Sequence, residues 1–103
     1  MKLVYSLLFC TLVFFATAQH DETTKAKKLF NSGVSYYENG DFTNAIKDFS
    51  KALEFRAKIS DSYLLCNLYI NRALCRMYLG NADAYDDASS AVELKPNMHA
   101  RIT

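Results

Sequence analysis

At 103 residues the chain has room for one small domain, and its three cysteines are too few for a disulfide-built scaffold. Twelve Lys and Arg against eleven Asp and Glu give a formal net charge of +1. Nucleic-acid affinity rests on clustered cations that neutralise phosphates, and no basic tract is present here, so that class of partner is excluded.

The first eighteen residues read as a unit. Lys2 is followed by an apolar run from Leu3 to Phe15, then by Ala16, Thr17 and Ala18, the charged, apolar, small-residue order of a cleavable secretory signal. The run is shorter than the roughly 20 apolar residues that span a bilayer, which argues against an uncleaved anchor. Phe9 before Cys10 also lacks the small side chain that a lipoprotein site requires. The expectation is therefore an exported chain beginning at Gln19, without membrane attachment after cleavage. It would be secreted or periplasmic, or lie in the endoplasmic reticulum lumen of a eukaryote. Losing Lys2 leaves eleven basic against eleven acidic residues, a net charge of zero.

Residues 19–24 form a polar linker, and the hydroxyl of Thr23 or Thr24 can cap the helix that follows. That helix is expected over about 25–38, where Leu29, Phe30, Val34 and Tyr37 recur at helical spacing. Gly33 sits inside it at a cost of about 1 kcal/mol relative to alanine. Such a residue marks close approach by a neighbouring helix. Asn39, Gly40 and Asp41 make a turn in which Gly40 takes positive φ and Asp41 caps the second helix, expected over about 42–56. Ala45, Phe49 and Ala52 form its inward face.

After an interruption at 57–62, Ser60, Asp61 and Ser62 are all able to cap a third helix, expected over about 61–79. Apolar residues lie nearly all round it, which implies burial on several sides. Ala84, Ala88 and Ala91 then mark a fourth helix that Pro96 should end, leaving 97–103 as the first turn of another.

The stretch 33–52, GVSYYENGDFTNAIKDFSKA, with Gly33, Tyr36, Gly40, Ala45, Phe49 and Ala52 at their offsets, resembles a tetratricopeptide repeat, a 34-residue pair of antiparallel helices. Ala73, Gly80, Ala84, Ala91 and Pro96 resemble a second one. Leu29 stands where the family favours tryptophan, Arg76 where it favours an aromatic, and the span from Gly80 to Pro96 is one residue short. The resemblance implies an all-α fold of stacked helix pairs over 25–103, with repeats at about 26–59 and 63–96 and a truncated helix at 97–103. About three repeats and a cap are usually needed for such an array to bury its faces. With two repeats, either the terminal segment folds back, the chain self-associates as a homo-oligomer, or it is a fragment of a longer array.

No catalytic constellation stands out. His20 and His99 lack ligand-spaced companions, there is no glycine-rich phosphate loop, and Asp86 and Asp87 are expected to form a solvated edge, so no enzyme activity, cofactor or metal is expected. Cys66 and Cys75 stand nine residues apart on one expected helix, about 13 Å along its axis and beyond disulfide reach. They are expected to pack as small hydrophobes, with intermolecular pairing as the alternative.

The resemblance places a concave groove along the first helix of each pair and assigns to it Lys27, Phe30, Asn31, Val34, Tyr37, Asn67, Ile70, Asn71, Leu74 and Tyr78. It thereby implies a non-catalytic module that holds a peptide or helix of another protein. A structural, self-associating repeat is the competing reading. Asn71-Arg72-Ala73 also resembles the subgroup that grips chaperone C-termini, but Phe30 and Val34 occupy the positions of its lysine and first asparagine. A carboxylate held there without cations would be costly, which disfavours that adaptor role.

Overall fold

The computed structural model describes the backbone of residues 21–102 and the side chains of residues 21–94. The expected signal at 1–18, His20 and the His99 side chain lie outside the described residues. Among the described residues four helices follow one another: α1 (Thr23–Glu38), α2 (Phe42–Leu53), α3 (Ser62–Tyr78) and α4 (Ala84–Ile102), with a 3₁₀ turn at Arg56–Lys58. They form two helical hairpins, α1 with α2 and α3 with α4, joined by packing of α2 on α3. The all-α architecture is the one expected.

Small residues bring the helices together. The Phe49 ring lies fully buried against Gly33 of α1, where a Cβ would collide with ring carbons. Ala26, Ala45 and Ala52 are likewise fully buried around it, and Leu53, Leu64 and Leu68 extend the core from α2 to α3. Burying a side chain the size of Phe49 or Leu68 contributes about 1.5–3 kcal/mol each.

Both hairpin turns depend on glycine in the left-handed region, Gly40 at φ 78° and Gly80 at φ 72°. In the first, the Asp41 carboxylate accepts from the Asn44 amide at 3.2 Å and caps α2, as expected. Asp61 does the same for α3, accepting from the amides of Tyr63 and Leu64 at 3.0 and 3.1 Å.

Three boundaries differ from the expectation. The α1 helix starts at Thr23, two residues early, and neither threonine caps it. Thr23 is drawn instead into a knot: its amide donates to Asp21, and its hydroxyl accepts from the Ser60 amide at 3.1 Å. The charged acceptor Asp21, which also takes the Ser60 hydroxyl at 2.6 Å, outcompetes a neutral cap. The α2 helix stops at Leu53 rather than near Arg56, because the chain tightens into the 3₁₀ turn. Finally, α4 runs through Pro96 to Ile102, in place of a stop and a new helix. Proline removes one helical hydrogen bond but already has helical φ, and Met98, Ala100 and Arg101 are good helix formers.

Candidate functional site

The surface features of the second hairpin are set by α3. Its 17 residues carry only two charges, Arg72 and Arg76, spaced four apart and so on one side of the helix. Both are committed to Asp87 of α4. Arg72 donates Nε and Nη2 to the two carboxylate oxygens at 2.9 and 2.7 Å, and Arg76 donates Nη1 at 2.7 Å. Arg72 also reaches Ser50 Oγ on α2 at 3.1 Å, tying three helices together. Asp87 is only 2% exposed, so the expectation that Asp86 and Asp87 form a solvated edge is corrected: Asp86 is exposed and Asp87 is buried. The spacing of four between the arginines was the available signal.

A depression of about 580 Å³ opens over this network and is lined by Arg56, Asp83, Asp86 and Ser90 around the three paired side chains. Its two α3 cations share the single Asp87 carboxylate, so both are held in ion pairs. Among the described residues no group of three or more His, Cys, Asp or Glu is placed to hold a metal ion.

The ten residues assigned to a groove do not line one continuous surface. Lys27, Phe30 and Asn31 of α1 meet Asn67 of α3 across a depression of about 320 Å³, with Asp61, Tyr63 and Leu64 at its other wall. Lys27, Asn31 and Asn67 are exposed there, while Phe30 is half-buried, its ring 5.9 Å from that of Phe49. The depression thus has an apolar floor, and its polar lining includes one ammonium, two amides and the Asp61 carboxylate. Two amides offer both donors and acceptors, the complement of a peptide backbone. No ion pair involves Lys27 among the described residues, and Asp61 already accepts from two amides of its own helix.

Val34 is half-buried against the core. Tyr37, Phe42 and Tyr78 close the turn end of the molecule as an aromatic triad. Phe42 and Tyr78 stack at 4.8 Å, and Tyr37 meets them edge-on at 5.6 and 6.2 Å. The Tyr37 phenol is pushed above its usual pKa, first by its hydrogen bond with Tyr78 and then by desolvation. Asn71 donates its amide to the Asn67 carbonyl at 2.7 Å, within its own helix. Ile70 and Leu74 belong to a different place, an apolar groove of about 400 Å³ between α3 and α4, with Cys66, Ala73, Met77, Ala88, Ala91 and Val92.

Cys66 and Cys75 are both free and buried. Burial pushes the Cys75 thiol up, and Cys66 Sγ lies 3.7 Å from the Ala91 carbonyl, to which it donates. Both pack as small apolar side chains. Among the described residues no helix is long and apolar enough to cross a membrane.

The tetratricopeptide repeat family model matches residues 26–57. The chain is 38% identical over 72 residues to sperm-associated antigen 1A of Danio rerio, an overlap of 67% of this chain and 17% of that protein. It is 30% identical over 90 residues to tetratricopeptide repeat protein 4 of Homo sapiens, covering 86% and 23% of the two chains. Against tetratricopeptide repeat protein 4 of Mus musculus it is 34% identical over 73 residues, covering 70% and 18%. The chain therefore spans less than a quarter of the length of each of these relatives. No solved structure matches it significantly.

Proposed function

We propose that this chain, which carries a tetratricopeptide repeat over residues 26–57, is an exported protein–protein interaction module. It holds an extended segment of its partner in the valley between α1 and α3. The observation that carries this reading is the convergence of Lys27, Phe30 and Asn31 with Asn67, from two different helices, on one depression. Phe30 offers an apolar floor for a side chain, and Asn31 and Asn67 pair with the peptide groups on either side of it. Lys27 favours a partner with an acidic residue at that end. Asn71, bonded within its own helix, does not point to the chaperone clamp.

A display library of random peptides about as long as α1 tests the reading. Selection on the purified chain should enrich a family of sequences, and Asn67→Ala or Lys27→Ala should weaken the winning peptide about tenfold, or ~1.4 kcal/mol. Lys47→Ala, on the exposed side of α2, should leave affinity unchanged. Selected peptides indifferent to both valley substitutions would sink this assignment.

Export rests on the order of residues 1–18, which is that of a cleavable signal. Intact-mass measurement on chain recovered from outside the producing cytoplasm should place the N-terminus at Gln19. A mass that includes Met1 would overturn the localisation.

A further inference from the structure

The two hairpins differ in what they leave exposed. Of the seven large apolar side chains at the surface among the described residues, only Tyr36 belongs to the first hairpin, and the rest fall between Ile70 and Val92. Ile70, Leu74 and Met77 recur along α3 at intervals of four and three, and Tyr85, Ala88 and Val92 along α4 at three and four. These are two parallel apolar stripes. The groove between them is floored by small residues, Ala73 and Ala91 with Cys66, and among the described residues no charged side chain lines it.

Exposures of 42% at Ile70, 64% at Met77, 78% at Tyr85 and 62% at Val92 matter because of their sum. At roughly 200 Å² per large side chain they leave about 500 Å² of apolar surface, at the upper end of what a monomer exposes as one patch. A standard interface takes about 800 Å² from each partner, which Leu74, Ala88 and the rim of the groove bring within reach. The area suits a reversible pair more than a permanent one.

The charge distribution decides what that pair is. The exposed residues of the first hairpin include Lys28, Ser32, Ser35, Lys47 and Lys51. Head-to-tail stacking would press an uncharged groove onto hydrated ammonium groups and strip their water without compensation. Two copies of the uncharged face bring no like charges together, and bulky ridges beside a floor of alanines are complementary to themselves. We propose that the groove between α3 and α4 is a homodimer interface. A second copy of this chain docks on it about a two-fold axis, the Ile70, Met77 and Val92 ridges of each copy seated over the Ala73 and Ala91 floor of the other. This surface shares no residue with the valley at Lys27 and Asn67, so peptide binding and pairing are separable.

Sedimentation velocity on the purified chain should show a monomer–dimer equilibrium in about the micromolar range. Met77→Glu and Met77→Lys, at an exposed position, should each weaken association at least about tenfold with helix content unchanged. An equal mixture of the two variants should restore the dimer, because opposite charges then meet across the axis. Val92→Glu, on the other helix, should reproduce the loss independently. The proposal is overturned by a wild-type chain monomeric at about a hundred micromolar. It is equally overturned by association that Met77→Glu and Val92→Glu leave intact, by open-ended oligomers, or by a monomer that uses this groove for a different protein.

Discussion

Phe49→Ala is expected to remove about 3–5 kcal/mol of stability, the cost of emptying a large aromatic site in a core that relaxes only partly. Phe49 is fully buried, packs 5.9 Å ring to ring against Phe30, and rests on Gly33. It therefore joins both helices of the first hairpin, and its neighbours Ala45 and Ala52 are too small to fill the space it leaves. In a domain this small the loss is a large share of a total of order 5–10 kcal/mol. The thermal midpoint should fall by at least about 12 °C, at some 4–8 °C per kcal/mol. Gly33→Leu should reach a similar loss from the opposite direction, by forcing the ring out of the space it occupies. Gly33→Ala pits about 1 kcal/mol of gained helix propensity against the displaced ring, so its effect should be smaller. Chemical denaturation followed by circular dichroism measures all three. A Phe49→Ala loss below about 1 kcal/mol would contradict the packing of α1 on α2 as described.

That packing is legible in the sequence, because it follows from features local to the chain. Gly33 and Phe49 lie 16 residues apart, with a glycine turn halfway between, so two helices of the right length bring them opposite each other. Gly40 and Asp41 then act within a few residues of themselves, and both do what their chemistry dictates. The features that sequence did not yield depend on which way a side chain points once two helices have crossed. Asn67 faces α1, whereas Ile70 and Leu74, three and seven residues on, face α4. The expected single groove consequently divides in two. The start of α1 was missed for another reason: Thr23 has two possible roles, and the carboxylate of Asp21 decides between them only when Ser60, 37 residues away, is alongside. Asp87 is the clearest case, since a carboxylate beside another carboxylate on an expected helix reads as a wet edge until its arginines are located.

The second large effect is expected at that carboxylate. Replacing Arg72 and Arg76 together by methionine preserves most of the apolar stem volume but leaves Asp87 buried and without a cation. Removing the partners of a buried charge costs about 3–5 kcal/mol, because desolvation remains while the attraction is lost. Arg72→Met alone leaves the Arg76 bond at 2.7 Å in place, so it should cost about 1.5–3 kcal/mol, the range for hydrogen bonds to charged groups. It also releases Ser50 of α2, so that part of its loss should disappear in a Ser50→Ala background. The decisive variant adds Asp87→Leu to the double substitution. With no charge left to compensate, the triple variant should recover most of the lost stability, since apolar groups of similar volume often replace a buried ion network at little cost. Urea midpoints for the double and triple variants separate the explanations. Recovery in the triple means that the arginines serve to neutralise Asp87. A triple variant as unstable as the double would instead assign the loss to the other contacts of the Arg72 guanidinium, over the Tyr69 ring and on Ser50.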